Sequence, residues 1–154
     1  MTSLTIIEDD LSGDAIAALL RLHLDEMYKW TPAESVHAMS IERLREPDVT
    51  FFSAWAGDAL AGCGALKEID ATHGEIKSMR AAPAFRGKGV GGAILTRLLA
   101  VARDRGYRRI SLETGSEDHY EPARKLYLAG GFVVCEPFAD YLPDPLSVFM
   151  TKYL

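Results

Sequence analysis

The spacing of apolar positions changes several times along this chain, and each change marks an element. Leu4 to Ile7 is a short apolar run of β type. Over the next segment apolar residues fall at Ile16, Leu19, Leu20, Leu24 and Met27, the three-and-four spacing that aligns them on one stripe of a helix. Ser12, Gly13 and Asp14 supply residues suited to cap its start. A second, less regular helical segment is predicted around Ser35 to Arg45, bracketed by Thr31-Pro32 and Pro47. From Thr50 the period shortens to that of strands. Thr50 to Ala56 and Leu60 to Glu68 read as a hairpin turned by Gly57-Asp58, and His73 to Ala81 as a third strand stopped by Pro83.

The clearest helix runs from Gly89 to Arg105. Ile94, Leu95, Leu98, Leu99 and Ala102 form its apolar face, Arg97, Arg103 and Arg105 lie away from it, and Gly106 ends it. Arg109 to Thr114 is a strand, and Pro122 opens a short helix that reaches Ala129 and closes at Gly130-Gly131. Phe132 to Cys135 and Leu146 to Thr151 are the last two strands, separated by the irregular Pro137 to Pro145 segment. The predicted order is β-α-α-β-β-β-α-β-α-β-β. A meander followed by β-α-β units implies an α/β fold, one mixed sheet with helices on both faces, in a single domain over residues 1–154.

Composition narrows the picture. The chain has 154 residues, of which 48% are hydrophobic and 25% charged, ordinary globular usage that argues against disorder and fibrous repeats. Two cysteines, Cys63 and Cys135, are too far apart in sequence to suggest a redox pair or metal knuckle. His37 and His73 have no companions at ligand spacing, so no metal is expected. The start of the chain has neither a basic leader nor a long apolar run, and no roughly 18-residue apolar stretch follows. A cytoplasmic protein is expected. The net charge of −5 speaks against a nucleic-acid or membrane partner. That average hides an asymmetry: between Glu75 and Arg109 nine Lys/Arg face two acids, which points to a small anion held in this stretch.

Within it lies Arg86-Gly87-Lys88-Gly89-Val90-Gly91-Gly92, between a strand and the clearest helix. Glycines leave backbone N–H groups uncovered, and a helix N-terminus aims them, with the positive dipole end, at a phosphate. Three readings compete. A P-loop requires Gly-Lys followed by Ser or Thr, which is absent. Gly87, Gly89 and Gly92 match a dinucleotide fingerprint, with Glu113 near the ribose-acid spacing, and would suit an oxidoreductase. However, Ala82 to Arg86 intervene between strand and first glycine. The third reading is R-x-x-G-x-G, made by Arg86, Gly89 and Gly91. A tight turn holding no ligand is the plainer alternative.

With Met79-Arg80-Ala81-Ala82-Pro83 before it, the third reading resembles the acyl-CoA-binding motif of the GNAT N-acyltransferase superfamily. Ala123-Arg124-Lys125-Leu126-Tyr127-Leu128-Ala129-Gly130-Gly131-Phe132 resembles the second signature of that family, A-x-x-L-Y-x-x-x-G-F, and the two cover about residues 74–135. Glu75-Ile76-Lys77-Ser78-Met79 and the segments around Phe138 to Tyr141 and Ser147 to Met150 resemble, more narrowly, its YsnE-type bacterial branch.

The resemblance implies a GNAT-like fold and acetyl-CoA as co-substrate. It implies that Arg86, Gly87, Lys88, Gly89, Val90, Gly91 and Gly92 hold the CoA diphosphate through backbone amides, and that Met79, Arg80 and Ala81 line the pantetheine. Tyr127 falls where relatives place the phenol that protonates the departing thiolate; packing on the sheet is the alternative. Glu75 falls where some relatives carry the general base, with Glu113 as substitute on the neighbouring strand and an ion pair to Lys77 or Arg80 as the plainer role. Alternation places Glu75 on one face with Lys77 and Met79. Where many relatives have Asn ahead of the second signature, this chain has Tyr120. Arg124 and Lys125 are candidates for CoA phosphates or for a solvated face. His23 lies on the apolar stripe of the first helix, Cys63 is expected buried, and Trp30, Trp55, Phe138 and Tyr141 line an acceptor pocket or fill core. The expected acceptor is a small-molecule or peptide amine, attacked directly in a ternary complex, with homodimerisation left open. A non-catalytic acyl-CoA sensor is the rival reading.

Overall fold

A computed structural model of the chain describes residues 3–154. Seven strands form one sheet: β1 (Thr5–Glu8), β2 (Val49–Ala56), β3 (Ala59–Asp70), β4 (His73–Ala81), β5 (Arg109–Gly115), β6 (Val133–Cys135) and β7 (Ser147–Tyr153). Their spatial order is β1-β2-β3-β4-β5-β7-β6. Every pairing is antiparallel except β4 with β5, because the connection carrying α3 (Val90–Asp104) returns the chain in the same direction.

The helices lie on both faces, as the apolar periods require. α1 (Asp14–Trp30) packs Ile16, Leu19 and Leu20 on Phe51, Cys63 and Ala65, together with Leu44 of the short α2 (Ile41–Leu44). On the other face Ile94, Leu95, Leu98, Leu99 and Ala102 of α3 meet Phe52, Leu66, Ile76, Ile110 and Leu112. Burying each of these large side chains contributes about 1.5–3 kcal/mol. β3 admits α3 closely because Gly62 and Gly64 lack side chains: a Cβ at Gly64 would sit 2.7 Å from Ile94, and one at Gly62 would sit 2.6 Å from the Arg80 carbonyl. Arg97 lies over the Phe52 ring and Arg105 donates to Thr50 Oγ1. Much of the basic stretch therefore serves the outer surface of the α3 layer.

Two expectations are corrected. The segment 35–45 is not one helix: a 3₁₀ turn at Ala33–Ser35 follows Pro32, the chain then runs extended, and α2 spans only Ile41–Leu44. Ser40 sets that start by accepting from the Arg43 amide at 3.2 Å. The second correction concerns β4. Its register with β3 jumps between Cys63/Arg80 and Ala65/Lys77, so two residues, Ser78 and Met79, oppose Gly64, and Ser78 has φ +53°. Such a bulge resets alternation. Glu75 and Lys77 share one face, but Met79 turns to the α3 side against Gly64, and Arg80 turns to α1.

Candidate active site

β4 and β5 pair only at His73/Arg109, Gly74/Ile110 and Glu75/Ser111. Beyond these residues the strands part, leaving the β5-facing backbone of β4 from Ile76 onward without a strand partner. A cavity of about 120 Å³ opens in the gap, bordered by Ile76 to Met79 on one strand and Leu112 to Gly115 on the other. His23, Met27 and Thr31 border it from α1 and its end, and Ser35 and His37 from the chain that follows. Tyr120, Ala123 and Tyr127 close it from α4 (Glu121–Ala129) and the turn before it. A parallel pair that splays where helix N-termini point is where α/β sheets place ligands.

Tyr127 reaches this cavity from inside the protein. It is 5% exposed, its ring meets Phe132 edge-on at 5.8 Å, and burial raises its phenol above the usual range. The phenol therefore keeps its proton under ordinary conditions. Glu113 borders the same cavity. Burial, foremost, pushes its carboxyl up to about 7, with the charges of Glu75 and Asp144 acting in the same direction; Ser147 and the Lys77 ammonium oppose them. A carboxyl poised there exchanges a proton near neutrality.

Glu75 has a different setting. It is 1% exposed and does not border the Tyr127 cavity. Its Oε2 accepts from the Tyr141 hydroxyl at 2.5 Å and lies 3.3 Å from Lys77 Nζ. Lys77 also donates to Tyr141 Oη at 2.7 Å and to the His37 carbonyl at 3.0 Å. Ser35 Oγ donates to Asp144 Oδ2 at 2.6 Å, so the segment after α1 and the loop before β7 are tied together over the sheet. Both also border an outer chamber of about 490 Å³, which Glu75 lines; His37 and Lys77 line both spaces.

The glycine loop has the geometry of an anion cradle. Gly87 and Gly89 take φ +74° and +82°, conformations that favour glycine, and Gly89 caps α3 with no side-chain bond. The first intrahelical bond runs from Ala93 N to Gly89 O at 3.1 Å. The amides of Val90, Gly91 and Gly92 precede it, and helix geometry gives them no partner within the helix. Space around the Cα atoms of Gly87 and Gly89 is open, whereas Gly91 packs under Leu126 and Val90 is buried against Gly62. The two arginines flanking the loop are already engaged. Arg80 and Arg86 both donate to Oε1 of Glu26 on α1, Arg86 at 3.2 Å. Lys88 Nζ sits 5.7 Å from the Phe85 ring centroid, and Ala81 pairs with Gly62 at the end of β4.

Several side chains that carried open roles find structural ones. Arg124 donates to the carbonyls of Gly115 and Glu117, and Lys125 makes an exposed i,i+4 pair with Glu121. Tyr120 lies under Gly115 and its hydroxyl is 3.1 Å from Thr31 Oγ1. Trp30 stacks on His119 at 4.6 Å. Cys63 is fully buried, and burial pushes its thiol up to about 12. His23 borders the cavity with its Nδ1 buried and unpartnered among the described residues; burial, then the charge of Arg80, brings its pKa down to about 4. Among the described residues no group of three or more His, Cys, Asp or Glu is placed to hold a metal. Glu26, Thr31, Ser35 and Asp144 carry no local sequence signal. Their partners lie 54 to 109 residues away, and only folding brings them together.

A mixed sheet splayed at its one parallel pair, with a glycine cradle at the start of the following helix, defines an acyl-CoA-type transferase fold. The chain belongs to the acetyltransferase (GNAT) family, whose sequence model matches residues 16–132, and it is an N-acetyltransferase. It is 56% identical over 146 residues to the uncharacterized N-acetyltransferase YsnE of Bacillus subtilis, covering 95% of this chain and 97% of that one. It is 49% identical to the uncharacterized N-acetyltransferase YedL of Escherichia coli, over 97% and 94% of the two chains. The fold matches a GNAT family acetyltransferase of Elizabethkingia anophelis, solved with acetyl-CoA bound, with TM-score 0.70 and 18% identity over the whole of both chains.

Proposed function

We propose that this enzyme transfers an acetyl group from acetyl-CoA to a primary amine of a small molecule or peptide by direct attack in a ternary complex, with Glu113 as general base and Tyr127 as general acid. The observation that carries the reading is that Glu113 and Tyr127 border one small cavity at the β4/β5 splay, whereas Glu75 does not. The amides of Gly87 to Gly92, apart from that of Lys88, which donates to the Phe85 carbonyl at 3.3 Å, would hold the diphosphate of CoA. Arg86 and Lys88 add charge at its rim. The unpaired β5-facing edge of β4, through the backbone of Met79, Arg80 and Ala81, would hydrogen-bond the pantetheine as a strand neighbour does. The E. anophelis relative, with acetyl-CoA bound in the same fold, supports the donor assignment.

In the reaction the amine nitrogen forms a bond to the thioester carbonyl carbon, and the carbon–sulfur bond breaks. The proton lost by the amine goes to Glu113, and the departing thiolate takes the Tyr127 proton. Acid–base assistance of this kind is typically worth about 10²–10⁴-fold per group. Acetyl-CoA in a thermal-shift titration tests the donor site, and a thiol-release screen over amines, amino acids and peptides tests transfer. Stabilisation by acetyl-CoA with thiol release against an amine is expected. Stabilisation without release against any acceptor would favour a CoA sensor, and stabilisation by a nicotinamide dinucleotide instead would overturn the donor assignment.

A further inference from the structure

Glu26 is the charged link between α1, which walls the acceptor side of the cavity, and the two arginines beside the glycine loop. Its Oε1 receives Arg80 from β4 and Arg86 from the loop at once. The three side chains differ in exposure. Arg80 is 10% exposed, Glu26 18%, and Arg86 55%. Arg80 is therefore held in place, while Arg86 is free to leave at small cost, since a half-exposed pair at 3.2 Å is worth little net energy. Three turns of geometry favour an exchange. Arg86 immediately precedes the glycine loop, whose Val90, Gly91 and Gly92 amides come before the first intrahelical bond, so a diphosphate seated there would lie near the same guanidinium. A diphosphate offers more charge and a better bidentate match than one shared carboxylate oxygen. Glu26, once released by Arg86, keeps Arg80 as its counter-ion.

We propose that Glu26 is a competing internal counter-ion for Arg86, which acetyl-CoA must displace, so that Glu26 lowers the affinity of the donor site. The inference rests on the glycine loop being the CoA diphosphate site. His23, one turn before Glu26 on α1, and Met27 beside it border the cavity.

The test is calorimetric titration with CoA of wild type, Glu26→Gln, Arg86→Met and the double variant, with Glu42→Gln as a control for loss of one surface charge. Glu26→Gln keeps a hydrogen-bond acceptor for Arg80, and its melting curve confirms folding. CoA binding about two- to fivefold tighter in Glu26→Gln is expected, unchanged in Glu42→Gln, with the gain absent when Arg86 is also replaced. Equal or weaker binding by folded Glu26→Gln would overturn the proposal. So would a gain that persists without Arg86, since Glu26 would then act only through general charge. Failure of all the chains to bind CoA would instead overturn the donor-site reading. If Glu26→Gln does not fold, Glu26→Asp, which shortens the reach to Arg86, is expected to shift affinity in the same direction, and no shift would count against the exchange.

Discussion

The Tyr141 hydroxyl donates a 2.5 Å hydrogen bond to Oε2 of Glu75, and Lys77 approaches the same oxygen. With that oxygen engaged and its side chain 1% exposed, Glu75 stands apart from the cavity that Glu113 and Tyr127 border. Its charge still acts on Glu113, raising the pKa of that carboxyl while Lys77 lowers it.

This separates the two acids by experiment. Glu113→Gln is expected to lower kcat about 10²-fold or more and to remove the acidic limb of the kcat/KM profile near pH 7. Glu75→Gln is expected to retain turnover and move that limb to lower pH, since a negative neighbour is lost. Loss of the limb in Glu75→Gln with its retention in Glu113→Gln would return the base role to Glu75.

Tyr127→Phe removes only the proton donor at a buried ring that already packs on Phe132. A fall in kcat of about 10²-fold is expected, with CoA affinity within about twofold of wild type by calorimetry. Because burial raises the Tyr127 phenol, wild type should show no falling limb from it up to about pH 9.

His23 and Glu113 make opposite contributions to stability with pH. His23 has its pKa lowered to about 4, so between there and its ordinary value near 6.5 the unfolded chain binds more protons, and stability rises with pH. Glu113 has its pKa raised to about 7, so from 4.5 to 7 the folded chain binds more protons, and stability falls as pH rises. Each is worth up to about 3 kcal/mol. His23→Asn should expose the falling slope between pH 4.5 and 7, and Glu113→Gln the rising slope between pH 4 and 6.5, in urea melts across that range. Parallel stability curves for the two variants would show that neither group titrates as described.

Gly115→Ala tests the wall of the Tyr127 cavity. A Cβ there would overlap the Tyr120 ring, so the ring must move and its 3.1 Å contact with Thr31 is strained. Overpacking of this kind costs about 1–3 kcal/mol. A melting temperature lower by several degrees is expected, with acceptor KM raised more than acetyl-CoA KM.

Native-state thiol labelling offers a simple check on Cys63. It is fully buried with its pKa pushed up to about 12, while Cys135 is half-buried. One thiol should react with a disulfide reagent before unfolding and two after it.

How much of this was legible beforehand depended on the range of the interactions involved. Local periodicity is a property of neighbouring residues, so the α1 and α3 stripes, the β2–β3 hairpin turn and the element order followed from it. The glycine loop and the Leu126-Tyr127 pair are likewise contiguous, and they marked the proposed donor site and a candidate acid. Ser40 shows the limit even of local reading, because it starts α2 in the middle of the Ser35 to Arg45 segment that reads as one helix. The bulge at Ser78 could not be read at all, since one extra residue against Gly64 leaves no mark in the apolar pattern of β4. It nevertheless decides that Met79 and Glu75 face opposite ways.

Apolar spacing and contiguous motifs were enough to read the layered α/β architecture, the backbone donors at the start of α3, and the family of the chain. Which carboxylate is engaged by Tyr141 emerges on folding. Glu75 and Glu113 are both acids on neighbouring strands, and what distinguishes them is Tyr141, brought 66 residues along the chain to occupy one of them. Folding also brings Arg86 to a carboxylate from α1, a contact across 60 residues. Charge and hydrogen bonding act through space, and the sequence orders residues along a line.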